Sequence, residues 1–95
     1  MSTSSQTGAS EAAIFGRVVA ARPNFSVAAA EALIELDFSD EDKERARVLS
    51  AKAQDGTLSP AERDELESYV RVDHMLGSLR SKARLSLKNR RSKIR

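Results

Sequence analysis

The longest uninterrupted segment of the sequence runs from Pro60 to about Asn89, with no further proline and with Gly77 as its single glycine. The segment contains no signal that would end a helix before residue 89. At ~1.5 Å per residue, a helix of about thirty residues extends ~45 Å, which is more than a compact domain of this length covers. The far half of this helix is therefore expected to project or to dock on something else.

The start of the long helix carries the clearest local signal in the chain. Ser59 is suited to the N-cap position, Pro60 to the first helical position, and Glu62 can close a capping box with Ser59. A preceding helix is predicted over 40–54, ending at Gly56, a residue that readily adopts the left-handed conformation. Because the connection between these two helices is short, the sequence predicts an antiparallel αα-hairpin.

The N-terminal half contributes a shorter helix, predicted over 27–37 behind Ser26 as N-cap. Residues 13–20 are apolar and lie before Pro23, and their pattern fits a strand or a helix equally well. The predicted fold class is all-α: an αα-hairpin with a short preceding helix and a long basic C-terminal helix. In the hairpin, the residues expected to face one another are Ala46, Leu49 and Ala53 on one side and Leu66, Tyr69 and Val70 on the other.

Composition divides the chain into a disordered leader over 1–11, a helical domain over 12–88 and a basic tail over 89–95. No cysteine and a single histidine, His74, leave no ligand set for a disulfide framework or a zinc site, and no cofactor is predicted. His74 reads as a surface or structural residue, so we expect a protein that is not an enzyme. No secretory signal or membrane span is apparent, which predicts a cytoplasmic protein with no membrane partner.

The net charge of +2 conceals a strong asymmetry along the chain. Residues 31–73 hold 13 acidic and 6 basic side chains, whereas residues 74–95 hold 8 basic side chains and no acidic ones. Such a basic segment is suited to a phosphate backbone, to an acidic protein surface or to the protein's own acidic half.

Two binding functions are predicted from the long helix, with a self-associating structural module as a further alternative. The first is a small protein-binding module, because aromatic residues make up only 4% of the chain and its core must be thin. Its predicted partner-binding residues, which could equally belong to an internal core, are Val72, Met75, Leu76, Leu79, Leu85 and Leu87. The alternative is nucleic-acid binding, or otherwise a merely solvated basic end, formed by Arg80, Lys82, Arg84, Lys88, Arg90, Arg91, Lys93 and Arg95.

A family resemblance narrows the first of these functions. In order, the segments LDFSDED (36–42), QDGTLSPAE (54–62), ESYVRV (67–72) and LRSKARLSLK (79–88) resemble uncharacterised small helical proteins of cyanobacteria and planctomycetes. Those proteins are often encoded beside a small HNH-type nuclease. The resemblance implies an antitoxin-like partner of a toxin or nuclease; it gives no active site to transfer, and the basic extension beyond Lys88 departs from the pattern.

Overall fold

The computed structural model describes residues 10–94, with the side chains of residues 10–90. In this part of the chain the fold consists of four helices and no strand, which confirms the predicted all-α class. The helices are α1 (Glu11–Ala20), α2 (Val27–Ile34), α3 (Asp40–Asp55) and α4 (Pro60–Ile94). None of the helices in the described residues is both long enough and apolar enough to cross a membrane.

Each helix begins behind a serine whose hydroxyl oxygen accepts a hydrogen bond from the backbone N–H three residues further on. These bonds satisfy N–H groups that have no partner inside the helix. The acceptors and donors are Ser10 and Ala13 (3.2 Å), Ser26 and Ala29 (3.2 Å), Ser39 and Asp42 (3.1 Å), and Ser59 and Glu62 (3.1 Å). At the other end of α3, Gly56 has φ of 73°, the left-handed conformation expected from the sequence.

Helix boundaries differ from the sequence-based ones at three places. The undecided segment 13–20 lies in α1, which starts at Glu11 and so includes a residue assigned above to the leader. Helix α2 ends at Ile34 rather than at residue 37, because the backbone tightens into i→i+3 hydrogen bonds there. Helix α4 continues to Ile94, so residues 89–94 extend the helix instead of forming a separate tail. The remainder of the predicted leader, residues 1–9, lies outside the described part.

The contacts divide the chain into two units. Unit 1 comprises the described residues up to Leu36 together with those from His74 onward, and unit 2 comprises Asp37–Asp73. Helix α4 contributes its first part to unit 2 and its second part to unit 1. The charge asymmetry of the sequence largely follows this division: residues 37–73 carry 11 acidic and 6 basic side chains, and the rest of the chain carries 3 acidic and 10 basic ones.

In unit 2, helix α3 lies antiparallel to the first part of α4. Arg45 donates two hydrogen bonds of 2.9 Å to the Glu65 carboxylate, and Lys52 donates one of 2.6 Å to Glu62. Leu49, which follows Arg45 by one helical turn on α3, is fully buried. Two residues of the predicted pairing, Ala53 and Val70, are exposed, and Val70 lines an open groove together with Ala46 of α3.

In unit 1, the second part of α4 packs within the same chain instead of projecting from it. Ala83 and Ser86 on α4 are fully buried, as is Ala30 on α2. Helix α1 approaches α4 closely, since a Cβ atom on Gly16 would lie 3.3 Å from the Ser78 hydroxyl oxygen. The sequence could not show this packing, because each contact joins residues far apart in the chain.

Candidate protein-binding surfaces

An open groove lies between α1 and α4 in unit 1 and is called here the α1–α4 groove. Its volume is about 340 Å³, and small side chains on both helices leave it unfilled. The residues that line it are Gly16, Val19, Ala20, Ser78, Ser81, Lys82 and Leu85. Leu85 is 52% exposed, a high value for a leucine in a chain with few buried apolar residues. The groove therefore offers an apolar contact that none of the described residues covers.

Helix α1 adds a second apolar strip to unit 1. Ile14 is 43% exposed and Val18 is 59% exposed, and the two residues are one helical turn apart. The buried Val19 lies on a different face of the same helix. In the described part of unit 1, both of its longer helices thus have exposed apolar side chains.

Three of the basic side chains assigned to the nucleic-acid alternative bind backbone carbonyl groups of unit 1. Arg80 donates to the Leu36 carbonyl oxygen through Nε (3.1 Å) and Nη2 (2.7 Å). Lys82 donates to the carbonyl oxygens of Ala20 (3.3 Å) and Arg22. Arg90 donates to those of Phe25 (2.7 Å) and Asn24 (3.4 Å). These cations act inside the fold.

The carbonyl groups concerned explain the positions of Arg80 and Lys82. Ala20 is the last residue of α1, and Leu36 follows the end of α2. The final carbonyl groups of a helix lack partners within it and carry partial negative charge, which a nearby cation stabilises. Lys82 thus binds the C-terminal end of α1, whereas Arg80 binds the carbonyl group of Leu36, two residues beyond the end of α2.

The other residues predicted to bind nucleic acid make no such contact with backbone carbonyl groups where their side chains are described. Arg84 and Lys88 are exposed and make no hydrogen bond or ion pair within the described residues. The side chains of Arg91, Lys93 and Arg95 lie outside the described part. Two cations one helical turn apart therefore remain available on the described surface of α4.

The six predicted partner-binding residues differ in their exposure to solvent. Leu85 in unit 1 (52%) and Val72 in unit 2 (42%) are exposed, whereas the other four are half-buried. The half-buried residues are Met75, Leu76, Leu79 and Leu87, all in unit 1. Leu85 is the member of the set that lines the α1–α4 groove.

A second groove, the Phe38–Tyr69 groove, lies within unit 2 and has a volume of about 380 Å³. Its lining residues are Phe38, Asp42, Glu65, Ser68, Tyr69 and Val72. The two aromatic rings meet edge to face, with centroids 5.8 Å apart and planes at 65°. The groove therefore combines apolar walls with two carboxylates.

Both carboxylates of the second groove have partners in unit 2. The Tyr69 hydroxyl donates a 2.7 Å hydrogen bond to Asp42, and this bond raises the pKa of Tyr69. The Arg45 guanidinium, bound to Glu65, lowers the pKa of that carboxyl group. Hydrogen bonding to an anion favours its charged form, so Glu65 remains ionised at neutral pH.

The structure assigns no chemistry to the remaining candidate groups. His74 is exposed, in keeping with a surface residue. Among the described residues, no three His, Cys, Asp or Glu side chains come together in a way that could hold a metal ion.

Comparison of the chain with protein-family models, with curated proteins and with solved structures finds no match. The resemblance to small proteins encoded beside an HNH-type nuclease therefore stays a prediction.

Two residues that line the α1–α4 groove, Gly16 and Ala20, are not among the predicted binding residues, although the sequence contains a partial signal for them. Gly16 and Ala20 are four positions apart, as small residues are where two helices approach closely. This spacing has meaning only once residues 13–20 are known to be helical, which the pattern left open.

Proposed function

We propose that this chain is a small protein-binding module whose α1–α4 groove receives a helix of a partner protein. The observation that carries the proposal is Leu85, which is 52% exposed at an apolar groove that the described residues leave open. Full burial of a leucine side chain contributes about 1.5–3 kcal/mol, so covering the exposed half is worth on the order of 1 kcal/mol. Exposed apolar side chains beside polar ones are typical of helix-binding surfaces.

The charge of unit 1 indicates the chemistry of the partner. Arg17 on α1 and Arg84 and Lys88 on α4 are exposed cations, and residues 74–95 contain no acidic side chain. An amphipathic helix with an apolar strip and flanking Asp or Glu residues complements this surface. Complementary charge would orient the partner and accelerate association, while the apolar contact would supply most of the affinity.

The family resemblance suggests a specific candidate for the partner. If the chain is antitoxin-like, its helix-binding surface would cover part of an HNH-type nuclease encoded beside it. The mechanism that we propose is occlusion, in which the bound module blocks the partner's substrate or its active conformation.

A second candidate function, nucleic-acid binding, is favoured by Arg84 and Lys88. These two cations are exposed and one helical turn apart. The alternative is weaker than the sequence suggested, because Arg80, Lys82 and Arg90 already bind carbonyl groups. If nucleic acid binds, the affinity should fall steeply with salt, by roughly one power of salt concentration for each phosphate neutralised.

Affinity purification of the tagged full-length chain from its host, with nuclease treatment, tests the leading proposal. Leu85→Asp is expected to abolish capture of the protein partner while the helical circular-dichroism signal is retained. Val27→Asp is the matched control, because Val27 is a similarly exposed (46%) residue of unit 1 that does not line the groove.

Two results would contradict the proposal. One is a folded Leu85→Asp variant that captures the partner as the unchanged chain does. The other is loss of all bound material after nuclease treatment, which would favour the nucleic-acid alternative.

A further inference from the structure

The two units of this chain carry opposite net charge. Residues 37–73, which form unit 2, hold 11 acidic and 6 basic side chains. The rest of the chain holds 3 acidic and 10 basic ones. Two copies of such a chain attract each other when the first unit of one meets the second unit of the other.

The Phe38–Tyr69 groove of unit 2 has the chemistry of a receptor for a basic, apolar segment. Phe38, Tyr69 and Val72 supply apolar walls, and Val72 is 42% exposed. Asp42 adds a carboxylate to the lining, where Glu65 is paired with Arg45, and the excess of acidic over basic residues in unit 2 supplies the negative charge around the groove. A suitable occupant therefore offers one apolar side chain to the walls and cations to the surrounding acidic surface.

The chain itself carries such a segment on α4. Leu85 is 52% exposed, and the neighbouring Arg84 and Lys88 are exposed cations. Both cations are without a hydrogen bond or ion pair in the described part of the chain. Their side chains can therefore engage another surface without first breaking an internal contact.

We propose that the Phe38–Tyr69 groove binds segment 84–88 of a second copy of this chain. Leu85 of one copy enters the groove, and Arg84 and Lys88 lie against the acidic surface of unit 2 of the other copy. Such a contact joins two different surfaces, and two copies can make it once, head to tail, or twice, as a two-fold pair in which each groove receives the other copy's segment. It does not rest on the proposed function, although both use Leu85, so a partner helix and a second copy would compete for that side chain.

Sedimentation velocity on the full-length chain tests this contact with one variant for each surface. Val72→Lys places a cation in the groove and repels the incoming segment. The double variant Arg84→Glu and Lys88→Glu reverses the charge of the segment. All three substitutions are at exposed positions, and Val27→Lys, at an exposed residue outside both surfaces, is the control.

The unchanged chain and the control are expected to self-associate at ~50 mM salt and to weaken at ~500 mM, where screening is short-ranged. Each surface variant alone should remain monomeric. An equimolar mixture of the two should form a heterodimer, because one variant retains the groove and the other retains the segment. This complementation identifies a contact between the groove of one copy and the segment of another, because mixing would not restore a contact of groove with groove or of segment with segment.

The inference is overturned if the unchanged chain stays monomeric at low salt and high concentration. It is also overturned if the mixture fails to associate or if either variant alone associates as the unchanged chain does. Should Val72→Lys lose its helical signal, Val72→Ala tests the groove, with at least a tenfold weaker association expected. Val72→Lys retains Leu85, so its capture of a partner protein reports on the proposed function separately.

Discussion

The hydroxyl oxygen of Ser86 accepts a 2.9 Å hydrogen bond from the backbone N–H of Phe25, a residue 61 positions earlier in the chain. Ser86 is fully buried, in the second part of α4. Phe25 lies immediately before the N-cap of α2, where the chain has no helical partner for this N–H group. The bond therefore ties the start of α2 to α4 inside unit 1.

Ser86→Ala should lower the free energy of unfolding by about 1–2 kcal/mol. The substitution leaves the part-buried Phe25 N–H without its acceptor, and an unsatisfied donor that is shielded from water costs more than the bond itself contributes. The control is Ser81→Ala, at an exposed serine of the same helix, which should be neutral or slightly stabilising because alanine favours helices. Urea denaturation measures both, and equal stability of the two variants would contradict the role given to Ser86.

The chain should lose stability as the pH is lowered from about 4.5 to about 2, because Glu62 becomes protonated over this range. The Lys52 ammonium group and the Ser59 backbone N–H lower the pKa of Glu62 from 4.5 to about 2. A carboxyl group with a lowered folded-state pKa stabilises the fold above its unfolded-state pKa, and this contribution is lost as protonation proceeds. Thermal midpoints recorded across this range measure the effect.

Glu62→Gln should flatten that pH dependence, since the amide does not titrate. Glu67→Gln is the matched control, because Glu67 is exposed on the same helix and makes no ion pair with a described residue. A Glu62→Gln variant whose thermal midpoint keeps the full pH dependence would show that other groups cause it.

Basic residues of α4 should fall into two groups, those whose side chains stabilise the fold and those whose removal leaves the stability nearly unchanged. Arg80→Met should destabilise the fold by about 1 kcal/mol, because the Leu36 carbonyl oxygen loses two charge-assisted hydrogen bonds. Arg84→Met should change the stability by less than about 0.5 kcal/mol, since its side chain is exposed and unpaired within the described residues. Chemical denaturation of the two variants is the measurement, and the opposite order would refute the assignment.

The two helical glycines of unit 1 should respond differently to alanine. Gly77→Ala should raise the free energy of unfolding by about 0.5–1 kcal/mol, because a Cβ atom there meets nothing within 4 Å. At Gly16 the new Cβ would lie 3.3 Å from the Ser78 hydroxyl oxygen, so the gain should be smaller or reversed. Thermal denaturation tests the contrast, which fails if Gly16→Ala is the more stable variant.

The sequence alone determined the all-α class and most helix boundaries, because the signals for these are local. A serine N-cap acts on an N–H group three residues away, and Gly56 ends α3 through its own backbone conformation. Helix α1 is not determined in the same way, because its cap, Ser10, lies in a polar stretch that is typical of a disordered leader. Interactions between residues three or four positions apart can be recognised from the sequence alone.

Tertiary structure decided which side chains remain available for binding. Arg80 and Arg84 are alike in the sequence, yet Arg80 binds a carbonyl group 44 positions away and Arg84 is exposed. Leu79 and Leu85 are likewise the same residue type in the same basic segment, but Leu79 is half-buried whereas Leu85 lines an open groove. The direction of each side chain around α4 follows from helical geometry, whereas what lies opposite it depends on how the distant helices α1 and α2 pack.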